Sequence, residues 1–280
     1  MSYVEIKDME IAFSTPKGRF VAVKNINLDI AKGEIVSIIG HSGCGKSTIM
    51  NAIGGMVIPT KGTVTIQGKA IKGPGPDRGI VFQNYSLLPW LSVYENIFQA
   101  VDAALKTTSE VDKREIVEKY IRMVSLSAHR EKLPKQISGG MKQRVAIARA
   151  FAINPDVLLL DEPFGALDAL TKGSMHIELL KLWNLDNRSK TIVMVTHDIE
   201  EAIFLSDKIV VMTDGPSATI REIEDVHLSR PRNKKDIVNM PEYKTIRERL
   251  LSLLMDKVEI DATDFYKATK VELVGMRSSH

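Results

Sequence analysis

The chain has 280 residues, 44% of them hydrophobic, enough to bury a sizeable core in one large domain or two lobes. Its 38 basic and 35 acidic residues leave a net charge of +3, without the clustered excess of a nucleic-acid binder, so no polyanionic partner is expected. The single cysteine, Cys44, excludes an intramolecular disulfide framework and points to a reducing compartment.

Met1 to Asp8 alternates polar and apolar residues, unlike a signal peptide. Val4, Ile6 and Met9 to Phe13 predict a first strand, Val21 and Val23 a second segment, and Ile26, Leu28 and Ile30 a half-buried strand. After the Lys32-Gly33 turn, Ile35 to Ile39 is a continuous apolar run suited to a central strand. A glycine-rich segment follows, and Ile49, Ala52, Ile53 and Met56 mark one face of a helix after it. Val64, Ile66 and then Gly79 to Phe82 are short strands. From about Leu87 to Asn154 the spacing is helical, as in Val117, Tyr120, Ile121 and Val124, and in Met141, Val145 and Ala148. Strands return at Val157 to Leu160, Thr191 to Val195 and Lys208 to Met212. Strands alternating with helices predict an α/β fold with a mainly parallel sheet and a helical insertion. Arg230 to Lys235 reads as a basic loop, and Tyr243, Ile246, Leu250, Leu251 and Leu254 as a docking helix. The apolar runs are far below the ~20 residues of a membrane helix, so the chain is expected to be soluble by itself, any membrane role coming through a partner.

The glycine-rich segment Gly40-His41-Ser42-Gly43-Cys44-Gly45-Lys46-Ser47 matches G-x-x-x-x-G-K-[S/T] between a strand and a helix. Glycines let successive N–H groups point at phosphate oxygens, and the positive end of the following helix adds to the attraction. In such a loop Lys46 reaches the β and γ phosphates and the Ser47 hydroxyl ligates Mg²⁺. Val157 to Leu160 then delivers Asp161 and Glu162 to a strand end. Asp161 is placed to hold Mg²⁺ through water, and Glu162 to act as general base for an attacking water. Cys44 reads as a small residue filling the loop.

A phosphate loop alone leaves GTPases, kinases, helicases and transport ATPases open. Asn233-Lys234-Lys235-Asp236 matches the guanine-reading N-K-x-D pattern, but in a polar stretch rather than at a buried strand end, and reads as coincidence. Ile137-Ser138-Gly139-Gly140-Met141-Lys142-Gln143-Arg144 decides between these classes. It opens a helix that Ser138 can cap, 23 residues before Asp161. The segment resembles the signature motif of ATP-binding cassette (ABC) proteins, with Ile and Met where that family most often has other residues.

Other segments resemble the same family in order. Gln83 is similar to the glutamine that touches Mg²⁺ and attacking water, Ala166-Leu167-Asp168 to the D-loop, and His197 to the switch histidine on the γ-phosphate. Phe13 matches the aromatic that stacks on adenine, with Phe20 the alternative, and Thr48 completes the nucleotide-binding loop. The resemblance implies a P-loop NTPase ABC nucleotide-binding domain: a RecA-like, mostly parallel sheet with an antiparallel β subdomain and an inserted helical subdomain. Its boundaries would be 1–86 and 155–220 for the ATP-binding core, 87–154 for the helical subdomain and 221–280 for a C-terminal extension. It further implies ATP and Mg²⁺ as ligands, the metal held by Ser47, Gln83 and Asp161. A second ATPase subunit would pair head to tail, so that Ser138, Gly139, Gly140 and Asp168 act in trans.

Phe82-Gln83-Asn84-Tyr85-Ser86-Leu87-Leu88-Pro89-Trp90-Leu91-Ser92-Val93, with Glu95-Asn96, resembles bacterial importers of the nitrate, sulfonate and taurine group. Val211 to Pro216 followed by Arg230-Pro231-Arg232 is most similar to the nitrate branch, which includes nitrite, cyanate and bicarbonate systems, and to its shorter, non-regulatory subunit. Such a subunit would sit on the cytoplasmic face of the bacterial inner membrane, contact separate permease subunits near Tyr85 to Leu91, and serve a periplasmic substrate-binding protein indirectly. Leu87, Leu88, Trp90 and Leu91 read either as that apolar docking patch or as a local core cluster. A soluble ABC ATPase of translation or repair would show tandem cassettes or a long coiled-coil insertion, which this sequence lacks. A non-hydrolysing regulatory module is disfavoured by intact Glu162 and His197.

Overall fold

A computed structural model describes residues 2–16, 18–184 and 190–255. The tail from Asp256 onward lies outside the described residues. Two compact units are present, Met1–Val226 and His227–His280.

In the first unit, strand β1 (Val4–Thr15) pairs antiparallel with β2 (Gly18–Ile30). Strand β3 (Ile35–Ile39) precedes helix α1 (Lys46–Ile53). Strands β4 (Lys61–Ile66), β5 (Lys69–Ala70) and β6 (Arg78–Val81) follow. The helical insertion comprises α2 (Val93–Ala104), α3 (Glu110–Met123) and α4 (Gly139–Ala152). Serines at 92, 109 and 138 accept backbone N–H bonds at their N-termini, which is why each helix begins where it does. Then come β7 (Val157–Asp161), α5 (Ala169–Asn184), β8 (Thr191–Val195), α6 (Ile199–Leu205), β9 (Lys208–Met212) and β10 (Ile220–Asp225).

The strands form two sheets. One is antiparallel, in the order β2-β1-β4-β5; the other runs β10-β9-β3-β8-β7-β6. All neighbours in the second are parallel except β10, which returns antiparallel to β9. Every residue of β3 and of β8 is buried, as expected of central strands covered on both faces. Helix α1 enters the core that the two sheets share, with Ile49, Met50 and Ile53 packed among Val4, Ile26, Leu159 and Val193. The parallel strands therefore deliver their C-terminal ends, at Ile39, Val81, Asp161 and Val195, to one edge, where ligands of open α/β sheets bind.

The second unit contains α7 (Lys234–Ile237) and α8 (Pro241–Met255). The basic stretch expected as a loop thus closes into one helical turn, because the Asn233 side chain accepts from the Lys235 N–H at 3.0 Å. Asn233 is a helix cap and not the end of a strand, consistent with a fortuitous N-K-x-D match. Tyr243, Ile246 and Leu250 form the buried face of α8, as their spacing predicts.

Candidate functional site: a phosphate loop at the end of the parallel sheet

The loop after β3 is drawn around its own lysine. Lys46 is 7% exposed, and its Nζ donates to the carbonyls of Gly40 and His41, each at 2.9 Å. Gly45 caps α1 with φ +90, and a Cβ there would lie 2.4 Å from Val23 Cγ1, so both the backbone and the neighbouring strand require glycine. Cys44 is buried; its Sγ lies 4.0 Å from Lys46 Nζ, and burial pushes its thiol pKa up. His41 Nδ1 lies 2.7 Å from Asp214 Oδ1, and a Cβ on Gly215 would come within 3.0 Å of the Gly43 carbonyl. The turn after β9 therefore braces the loop from outside. Sequence reasoning missed this contact, although Asp214-Gly215-Pro216 is a turn signal.

Beside the loop, Ser47 Oγ donates to Asp161 Oδ1 at 3.1 Å across two strands. Burial raises the Asp161 pKa, and the Glu162 charge adds to this; the Ser47 hydrogen bond and Lys46 oppose it. Glu162 has a left-handed backbone, φ +43, and its N–H donates to the Val195 carbonyl at 3.0 Å. That conformation turns its carboxylate off the end of β7: Gln83 Nε2 donates to Glu162 Oε2 at 3.0 Å, and His197 Nδ1 stands 3.6 Å from the same oxygen. A Cβ on Gly165 would lie 3.7 Å from Glu162 Oε2 and 3.8 Å from His197 Cε1, which leaves room beside both groups. Phe82, Gln83, Asn84 and Asp161 line an open cavity of about 340 Å³.

The oxygens of Ser47, Gln83 and Asp161 suit a hard cation such as Mg²⁺, which commonly takes few protein ligands and completes its shell with phosphate and water. No cluster of three His, Cys, Asp or Glu side chains is present among the described residues.

Phe13 and Phe20 face each other as a cross-strand pair in β1 and β2, 41% and 46% exposed. Opposed residues project from the same face of a sheet, so the two candidates for the adenine platform occupy one place.

The remaining candidates lie elsewhere on the chain's surface network. Ser138 caps α4 by accepting from Met141 N at 3.3 Å, and Asp168 caps α5 by accepting from Leu170 N and Thr171 N at 3.1 and 3.0 Å. The Thr171 bonds hold the Asp168 carboxyl below its ordinary pKa. Ser138, Gly139 and Asp168 are exposed, and no hydrogen bond among the described residues joins them or Gly140 to the phosphate loop. The glycine at 140 has a packing reason: a Cβ there would meet Thr171 Cγ2 at 2.7 Å.

After Gln83 the chain turns sharply, with Tyr85 and Ser86 at φ +64 and +45. Arg149 of α4 donates to the Ser86 and Tyr85 carbonyls at 2.7 and 2.9 Å. Asn96 of α2 accepts from Leu88 N and donates to the Leu88 and Leu91 carbonyls. These anchors half-bury Leu87, Leu88 and Leu91 while leaving Trp90 69% exposed. The stretch thus carries three half-buried leucines beneath an exposed apolar tip. The anchoring role of Arg149 was not legible in the sequence.

The ABC transporter family profile matches residues 23–165. Together with the relatives below, this shows that the chain belongs to the ABC transporter family, as an ATP-binding, ATP-hydrolysing cassette. It is 49% identical over 260 residues to the bicarbonate transport ATP-binding protein CmpD of Synechocystis sp., covering 93% of this chain and 92% of that protein. It is 50% identical over 242 residues to the nitrate import ATP-binding protein NrtD of Synechococcus elongatus, covering 86% and 88%. Among solved structures, the dimeric post-hydrolysis state of the ATP-binding cassette MJ0796 with ADP and Pi superimposes with a TM-score of 0.70 at 34% identity, over 81% of this chain and 100% of that one.

Proposed function

We propose that this chain hydrolyses ATP to energise a bacterial importer of a small oxyanion of the nitrate and bicarbonate class. The observation that carries the reading is the meeting of Gln83, Glu162 and His197, from three different strand ends, beside a phosphate loop already wrapped around Lys46. Gly40 to Thr48 hold the triphosphate, with Lys46 on the β and γ phosphates and Phe13 under the adenine. Ser47, Gln83 and Asp161 would hold Mg²⁺, which when bound would neutralise developing phosphate charge. Glu162 takes a proton from the attacking water as the water oxygen bonds to the γ-phosphorus and ADP leaves; Gln83 orients that water and His197 contacts the γ-phosphate.

The same reading gives Ser138, Gly139, Gly140 and Asp168 their role. Exposed, or half-buried in the case of Gly140, and unconnected to their own phosphate loop, they complete the site of a second, head-to-tail cassette, as the dimeric neighbour suggests. The exposed Trp90 tip offers an apolar contact to a transmembrane permease subunit. No helix among the described residues is long and apolar enough to cross a membrane. On this reading the subunit works at the cytoplasmic face of the membrane through its permease contact, and a periplasmic binding protein acts on it indirectly. Near-equal identity to a bicarbonate and a nitrate relative keeps the cargo at the level of a small oxyanion.

Glu162→Gln should retain ATP and elute from gel filtration as a dimer only when ATP is present, with turnover lowered about 10²- to 10⁴-fold. Adding Ser138→Arg should return that variant to a monomer with ATP still bound. Undiminished turnover in the first variant, or an ATP-dependent dimer in the second, would count against the roles assigned here.

A further inference from the structure

Lys172, His176, Asp198 and Glu201 form a charged cluster between α5 and α6, with His176 and Glu201 buried and Lys172 and Asp198 half-buried, that no step of the proposed hydrolysis uses. His176 is 1% exposed and Glu201 3%. Lys172 Nζ donates to Asp198 Oδ2 at 2.6 Å and lies 3.1 Å from Glu201 Oε2. His176 Nε2 lies 3.0 Å from that same Glu201 oxygen, with Phe164 packed edge-on against the imidazole at 4.7 Å between ring centroids. Burial works to raise both carboxyls. The Lys172 hydrogen bond on Asp198, and the His176 and Lys172 contacts on Glu201, outweigh it and leave both below their ordinary pKa.

Holding two helices together does not call for such a cluster. Buried ion pairs are often no more stabilising than apolar side chains of similar volume, because desolvation offsets the attraction. What sets this one apart is where its members sit in the chain. Asp198 directly follows His197, whose side chain is 62% exposed and therefore placed by its backbone more than by packing. That backbone is pinned through Asp198: its N–H donates to Thr196 Oγ1, and its Oδ1 accepts from Glu201 N, each at 3.0 Å. The other carboxylate oxygen is the one that Lys172 holds. Lys172, in turn, is one helical turn past Asp168, donating its N–H to the Asp168 carbonyl at 2.8 Å. It also directly follows Thr171, against which Gly140 packs.

We propose that Lys172 is a positioning residue of the ATPase reaction. Its ion pair with Asp198 fixes His197 beside Glu162 and ties that histidine to the Asp168 turn and, through Thr171, to Gly140. The elements that face the partner cassette and the histidine that faces the chain's own nucleotide are thereby joined by one side chain. The proposal rests on the roles given above to Glu162 and His197.

The test is steady-state ATPase of Lys172→Met, Lys172→Arg and Asp198→Asn, beside Lys46→Ala as a dead reference, with thermal midpoints for each. Lys172→Met should lose about 10- to 100-fold in kcat, with KM for ATP within about twofold, because a displaced group costs rate and not ground-state binding. Arg keeps the charge and the reach, so Lys172→Arg should restore most of kcat. Asp198→Asn keeps a good helix cap but loses the charge, and guards against a Lys172→Met that does not fold; it should show the same kcat loss. If Lys172→Met and Asp198→Asn both turn over within about twofold of the parent while Lys46→Ala is dead, the positioning role is overturned and the site reading stands. A folded Lys172→Arg that remains as slow as Lys172→Met overturns it too. Wild-type turnover in Lys46→Ala sinks the site reading itself.

Discussion

The two regions proposed to face nucleotide are prepared in different ways. Around the phosphate loop, functional side chains already contact each other over long sequence distances: Ser47 with Asp161, Gln83 with Glu162, His41 with Asp214. At the signature helix and the Asp168 turn, Ser138 and Asp168 make only local bonds that begin their own helices. The first region is held in shape by the fold of one chain. The second presents capped but otherwise open helix starts, as expected of a surface whose counterpart is another subunit. On the proposed function, half a site is preorganised in one chain and half lent to another, which would make closure of the pair, and not binding alone, the step that assembles the catalytic constellation.

That contrast can be attacked first at Lys46. Lys46→Ala removes the one ammonium inside the loop and should lower turnover by about 10²- to 10³-fold, the scale for losing a charge-stabilising donor in an active site. ATPase assays across a range of ATP concentrations check it, and wild-type rates at saturation would place the lysine outside the reaction. A smaller effect is expected from Gly45→Ala. The left-handed φ and the contact with Val23 Cγ1 should cost about 1–3 kcal/mol, seen as a lower thermal midpoint and weaker ATP binding. The same substitution at Gly173, where a Cβ meets nothing within 4 Å and the backbone is helical, provides the control.

The smallest effect concerns acid. Asp198 and Glu201 have depressed folded pKa values, so their contribution to stability is complete above the ordinary carboxylate range and fades as pH falls through the depressed values. Lys172→Met removes part of that depression. The variant should therefore be less stable than the parent at neutral pH but lose less stability on acidification, giving a flatter profile when urea midpoints are compared between about pH 3 and 6. Identical acid profiles would mean that Lys172 does not set those carboxyls.

Much of the first region was legible because its motifs are dictated by short-range geometry. A strand, a glycine-rich turn and a helix must adjoin for backbone N–H groups to converge on phosphate, so Gly40 to Ser47 carries its own context. The apolar runs of β3, β7 and β8 were equally plain, since burial on both faces leaves a continuous apolar stretch. The basic stretch at 230–235 misled because one asparagine cap was enough to convert the end of a loop into a helical turn.

Sequence alone determined which chemistry the chain carries: a phosphate loop, a strand-end acid pair and a signature segment in the order of one family. Only the tertiary structure decided how those groups are held. The brace of Asp214 on His41, the Arg149 and Asn96 anchors that raise Trp90, and the Lys172 pair with Asp198 each join residues from separate elements. Local periodicity and propensity carry no information about such pairs. They are fixed only when the parallel sheet brings its strand ends, and the helices that follow them, to one edge.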